Sequence, residues 1–204
     1  MSDLTALRAA LAKEASRRAR QGQLPGSLLG RLRLVTTAEL LCPAPPPVCA
    51  ADAAGELRAL CLAAEQMLRR RSGWLQAEVC RGPLPVLARA MLLQAAVLAW
   101  LRGALVCGAP GVLLCCRQAG GAAVLQLSGG IDPRGDTAAL LRRLAREAGG
   151  TLLAAAGGDF SAALRLPAAD GLPLRPVPDP GELMTDRYGL PRMYLDGFCA
   201  EPER

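Results

Sequence analysis

The stretch GDTAALLRRLAREAGGTLLAAAGGDFSAALRLP, residues 135–167, decides the fold. Asp136 or Thr137 offers a side-chain oxygen to cap a helix, which runs to Ala148 before Gly149 and Gly150 end it. Residues 151–156 and 159–166 then read as two short strands, with Gly157 and Gly158 as the turn between them. A helix that delivers the chain into a hairpin needs a sheet to join.

The preceding residues supply that sheet. Residues 111–118 and 122–128 predict a second hairpin across Gly120 and Gly121, and residues 74–80 alternate as a further strand. Residues 84–105 predict a long apolar helix. Asp52 or Gly55 starts another, which runs through Leu57, Leu60, Cys61, Ala64 and Leu68 to the arginines at 69–71, whose cations suit a helix C-terminus. The order is helix, strand, helix, strand, strand, helix, strand, strand. It predicts an α/β two-layer sandwich, a mixed sheet with helices on one face.

Two other regions flank it. Leu4, Leu7, Leu11 and Ala15 recur at helical spacing, and a second helix after Pro25 carries Leu28, Leu29, Leu32 and Val35, which together predict an N-terminal helical hairpin over residues 1–41. In CPAPPPVC, residues 42–49, the prolines at 45–47 remove backbone donors, so residues 42–54 are expected to be a linker to the α/β domain at 55–167. The proline-rich tail at 168–204 is expected to be a loop with one short strand at 191–198.

Composition narrows the function. A chain of 204 residues that is 51% hydrophobic can fill a core. All 24 basic residues except Lys13 are arginine, and the groups at Arg17, Arg18 and Arg20, at 69–71, and at Arg142 and Arg143 all fall in helical patterns. With aromatics at only 3%, they are read as solvated helix faces and no nucleic-acid partner is expected. Eight cysteines are spread through apolar segments without C-x-x-C spacing, and the chain has no histidine. They are read as small buried hydrophobes in a reducing, cytoplasmic setting, with no metal site and no secretory signal ahead of them. The apolar run at 90–101 would span about 18 Å as a helix, against a hydrocarbon core of about 30 Å, so it is read as a core helix with no transmembrane role. Ser128 before two glycines lacks a histidine to serve as its base, and Asp179, Glu182 and Asp186 are read as solvated.

Residues 135–167 resemble the ATP-binding domain of sensor histidine kinases. There a glycine box opens a helix, the helix ends at a glycine pair, and a hairpin finishes in Leu-Pro. The upstream order also resembles this superfamily, the Bergerat fold shared with gyrase B and MutL. The resemblance implies a two-component signalling protein of bacterial type. It also implies positions where nucleotide chemistry should sit. The kinase N-box reads N-L-L-x-N-A-I, and residues 91–97, Met-Leu-Leu-Gln-Ala-Ala-Val, put Ala95 at the magnesium-ligating Asn with Gln94 one residue away. A methyl group cannot ligate a hard cation. The D-x-G-x-G motif puts Ser128 at the adenine-binding Asp and Gly130 at the first Gly, and the lid before Gly135 is almost absent. In the last glycine box Gly135 is kept and Thr137 replaces a second Gly. Losing the adenine contact and the magnesium ligand, at about 1.5–3 kcal/mol each, weakens nucleotide binding roughly 10²–10⁴-fold.

The hairpin is expected to be a remnant of the kinase dimerisation domain, with Arg20 where the phosphoacceptor histidine would stand. The sequence contains neither His nor Asn. The expectation is a degenerate histidine-kinase-like protein with no catalytic residues, not an enzyme and without a cofactor. It would act by binding a protein partner and form a homodimer through its N-terminal helices. The alternative is a divergent binder of ATP and magnesium, such as an anti-sigma-type serine kinase or a nucleotide sensor.

Overall fold

In the computed structural model, residues 3–21, 26–129, 134–154 and 161–199 are described. The chain opens with helices α1 (Asp3–Arg20) and α2 (Gly26–Leu41), and after the proline-rich loop come strand β1 (Ala51–Asp52) and helix α3 (Ala53–Met67). Strands β2 (Leu75–Val79) and β3 (Pro85–Val86) lead to helix α4 (Ala90–Val106). A hairpin of β4 (Val112–Ala119) and β5 (Ala122–Ser128) precedes helix α5 (Gly135–Glu147), strands β6 (Thr151–Ala154) and β7 (Ser161–Pro167), and helices α6 (Pro180–Thr185) and α7 (Leu190–Leu195).

Five strands form one sheet in the order β2-β4-β5-β7-β6, with β2 parallel to β4 and the other pairs antiparallel. Alternation divides its residues between two faces. Leu114, Cys116, Leu125, Leu127, Leu164 and Leu166 are buried, whereas Leu113, Arg117, Gln126 and Arg165 are exposed on the other side. Helices α3, α4 and α5 cover the buried face. The expected α/β sandwich with a preceding helical hairpin is therefore the observed architecture. Gly120 and Gly121, with φ of 53° and 68°, make the tight turn between β4 and β5 that the sequence predicts.

Helix α4 is buried on nearly every side, with Leu92, Leu93, Val97, Leu98, Trp100 and Leu101 all at 0% exposure. The sheet can cover only one side of it. On the other side α2 and α7 pack against α4, and α6 packs against α3. Met193, Tyr194 and Leu195 are buried there, the Tyr194 hydroxyl shares a 2.7 Å hydrogen bond with Thr37, and Arg102 donates to the Tyr194 carbonyl at 2.8 Å.

Some local expectations need correction. Residues 191–198 do not form a strand, because Pro191 in the first turn sets a helical φ and Leu190, Met193 and Tyr194 then share one face of α7. The helix expected at 84–105 begins only at Ala90. Residues 84–86 are extended because the Leu84 amide donates to Asp52 at 2.8 Å and β3 pairs with β1. The tail at 168–179 is no free loop: Ala50 donates to Pro173, Arg175 donates to Ala50, and Ala169 donates to Pro85, each at 2.9 Å. Neither Asp136 nor Thr137 caps α5, whose N-cap is Arg134 without a side-chain cap bond. The turn expected at Gly157 and Gly158 lies outside the described residues.

One ion pair joins three helices. Arg89 precedes α4, and its guanidinium pairs with Glu147 at the end of α5 at 2.9 Å while donating to the Leu40 carbonyl at the end of α2 at 2.8 Å. The amide of Arg89, the N-cap of α4, also donates to Glu147, where no side-chain cap bond is made, and Arg143 approaches the same carboxylate at 3.6 Å. Glu147→Ala would leave these cations largely buried without their partner. Urea unfolding should show a loss of about 2–3 kcal/mol, and Arg89→Met with Glu147→Leu should cost less than Glu147→Ala alone.

Candidate functional site

The end of the sheet where β5 finishes meets the start of α5 over one part of α4. Thr137, in the first turn of α5, donates its hydroxyl to the Ala99 carbonyl at 3.2 Å. A Cβ on Gly129, just past β5, would lie 3.6 Å from the Trp100 Nε1. Trp100 is fully buried, and its indole N–H has no hydrogen-bond partner among the described residues. The face of α4 presented here thus begins at Ala99 and continues towards Gly103.

The expected site residues fall in two groups. Thr137 lies at this junction, and Gly135 opens α5 with a positive φ of 54°. Ser128 ends β5 on the outer face of the sheet, because it alternates with buried Leu127 and pairs with exposed Leu113 on one side and Ser161 on the other. It borders an open cavity of about 690 Å3 with Gly111, Gly129 and Ser161. Gly130 lies outside the described residues. Ala95 is fully buried four residues before Ala99, about 6 Å along the helix. Gln94 is also absent from the junction. Its Nε2 donates to Glu56 Oε2 on α3 at 2.6 Å.

The residues that do face the junction carry a signal in the sequence. Residues 99–104 read Ala-Trp-Leu-Arg-Gly-Ala, which fits N-L-L-x-N-A with Leu101 and Ala104 in register, two helical turns after the frame at 91–97. An alanine- and leucine-rich helix satisfies such a frame more than once. The contacts from Thr137 and Gly129 fall at Ala99 and Trp100, within the second of these stretches.

The buried Glu56–Gln94 pair has its own electrostatics. Glu56 is 1% exposed, and desolvation raises its carboxyl above the ordinary value against the opposing influences of the Gln94 bond and the nearby Arg175 charge. The thiols of Cys61 and Cys116 are likewise pushed up by burial to about 12, as expected of packed cysteines. All eight cysteines are free, but only Cys61 and Cys116 are buried, and Cys42 and Cys107 are exposed, which corrects the reading of all eight as buried hydrophobes. Among the described residues no group of three or more His, Cys, Asp or Glu is placed to hold a metal ion, and no helix is long and apolar enough to cross a membrane. Of the arginine groups, Arg17 and Arg18 both bind Glu14 on their own helix.

By sequence the chain matches no protein-family model and no curated protein. Solved structures are similar to it in fold. The histidine kinase AdeS of Acinetobacter baumannii aligns at 9% identity over 71% of this chain and 83% of that one, with a TM-score of 0.50. Full-length ShkA in complex with AMPPNP aligns at 16% identity over 72% of this chain, with a TM-score of 0.52, and the chain spans 37% of its length. The fold is that of a histidine-kinase-like ATPase. This corrects the expectation that the chain is not an enzyme: the matched folds are those of kinases, and nothing in the geometry shows that catalysis has been lost.

Glu56 gives a test of the electrostatics. A carboxyl whose folded pKa lies above its unfolded value of about 4.3 contributes stability that is fully present below that value and is lost as pH rises through the folded pKa. Glu56→Gln keeps an oxygen for Gln94 and removes the titration. Thermal melts should show the native chain losing stability relative to the variant above about pH 4.3. At neutral pH the variant should melt at a higher temperature than the native chain.

Proposed function

We propose that the chain is a histidine-kinase-like signalling module that works on a partner protein, with any phosphoryl group accepted by a residue of that partner. The observation that carries this reading is a histidine-kinase-like fold in a sequence of 204 residues without a single histidine. The helices packed on the far side of α4 support it. Tyr194 and Arg102 tie α2 to α4, while Thr5 donates to Glu39 at 2.9 Å and Arg8 pairs with Glu39 at 2.9 Å, so the hairpin is presented in a fixed pose.

The module is proposed to pair with a second copy through this hairpin, where Leu7 and Leu34 are 47% and 55% exposed. A reducing cytoplasmic setting suits its eight thiols. We assign the former nucleotide positions to Ala99, Gly103, Gly129, Gly135 and Thr137. Ala99 and Gly103 offer no side-chain oxygen to magnesium, so the donor set does not fit Mg-ATP and nucleotide binding is expected to be weak. A second reading, a divergent ATP-binding protein, draws on the exposed first turn of α5 at Gly135 and Asp136, where backbone amides can meet phosphate.

Calorimetry with Mg-ATP separates the two readings. No binding in the micromolar range is expected, and a low-micromolar dissociation constant would establish the second. Light scattering tests the pairing: the expected mass is twice 21.3 kDa, reduced to that of one chain by Leu7→Glu with Leu34→Glu. A monomeric native chain would refute the homodimer.

A further inference from the structure

A cavity of about 420 Å3 opens between the helical hairpin, the proline-rich loop and the first turn of α4. Small-molecule sites usually have about 300–1,000 Å3. Leu40, Pro47, Val48, Ala88 and Met91 give it apolar walls. These come from three separate parts of the chain, so the cavity exists only because the hairpin is seated on the α/β domain.

Charge is distributed unevenly around it. Arg8, Arg89 and Arg175 border the cavity, with Glu39 as its acidic neighbour. Arg8 pairs with Glu39 and Arg89 with Glu147, each at 2.9 Å. Arg175 forms no ion pair among the described residues. It also borders an adjoining cavity of about 470 Å3 with Glu56 and Glu182, and its charge acts on the Glu56 carboxyl there without a direct ion pair. The Arg175 backbone is fixed at the rim, because its amide donates to Ala50. A guanidinium without an ion-pair partner among the described residues therefore stands beside an apolar hollow.

We infer that this cavity binds a small amphipathic carboxylate, with its hydrocarbon part against Leu40, Pro47, Val48 and Met91 and its anionic head at Arg175. The size matches a medium-length chain, and the charge matches a single negative group. Such a ligand touches the hairpin, the loop and α4 together, so its binding stiffens the hairpin. The inference is independent of the nucleotide and partner readings.

Calorimetric titration of the full chain with decanoate and with decan-1-ol, both kept below aggregation, tests it. Decanoate should bind at least about tenfold tighter than the alcohol, the size of one charge-assisted hydrogen bond. Arg175→Gln should remove that preference and leave the alcohol unaffected. Met91→Trp, which fills the cavity, should abolish binding of both, and hydrogen exchange in α1 should slow with decanoate in the native chain only. Equal binding of acid and alcohol, an unchanged preference in Arg175→Gln, or no binding of decanoate would each overturn the inference. Arg175 is exposed, so its variant remains informative even if Met91→Trp fails to fold.

Discussion

Helix α4 has almost no polar face, and the rest of the molecule is arranged around that constraint. Its sequence, AMLLQAAVLAWLRGALV, offers Gln94 and Arg102 as its only polar side chains. A sheet can bury one side of a helix, and in a two-layer domain the opposite side meets water. Here that side is as apolar as the first. Leaving it exposed would forgo roughly 1.5–3 kcal/mol for each large aliphatic side chain, so the chain supplies a third layer from outside the sandwich. The hairpin comes from before the α/β region and α7 from after it. Segments from both sides of the α/β region are thereby committed to the core.

The two polar side chains of α4 show how such a helix stays soluble within its own protein. Gln94 meets Glu56, whose carboxyl is raised above its ordinary value by burial and accepts a hydrogen bond from the Gln94 amide. Arg102 reaches the Tyr194 carbonyl and lies over the Phe198 ring at 5.5 Å, so its charge is spread over an acceptor and an aromatic face. Each contact also joins α4 to a different neighbour, Gln94 to α3 and Arg102 to α7. Polar groups that cannot be solvated thus serve as the registers that fix which helix lies where.

Those registers depend on partners distant in sequence, which is why some parts of the structure were legible and others were not. The glycine turn at 120–121 and the punctuated segment at 135–167 are local, and where those residues are described the sequence reading of their helix and strands agrees with the structure, the cap of the helix excepted. Residues 84–86 follow an apolar pattern that a helix would satisfy, and only Asp52 and β1, more than thirty positions earlier, make them extended. Residues 190–195 are a short apolar run of the kind that periodicity cannot assign; Pro191 was the available clue. The outward direction of Ser128 follows from strand parity, since Leu125 and Leu127 point inward. The N-box frame was ambiguous because leucine and alanine recur along α4 at several helical offsets.

That ambiguity has a physical basis that also bears on function. Inward positions of a sandwich are selected by packing, so Leu101, Leu114, Leu125 and Leu164 hold the fold whatever chemistry it supports. Positions at the junction of α4, β5 and α5 are held by backbone geometry instead: the Thr137 hydroxyl meets a carbonyl of Ala99, and Gly129 lies against the Trp100 indole. Such contacts tolerate replacement of the side chain on the partner that contributes only backbone, Ala99 or Gly129. Under the assignment proposed above, the architecture of a nucleotide site would persist with a methyl group at Ala99 and a hydrogen at Gly103 in place of cation-ligating oxygens. A likeness in fold and a difference in donor set are compatible for that reason, and any activity has to be argued from the side chains at the junction.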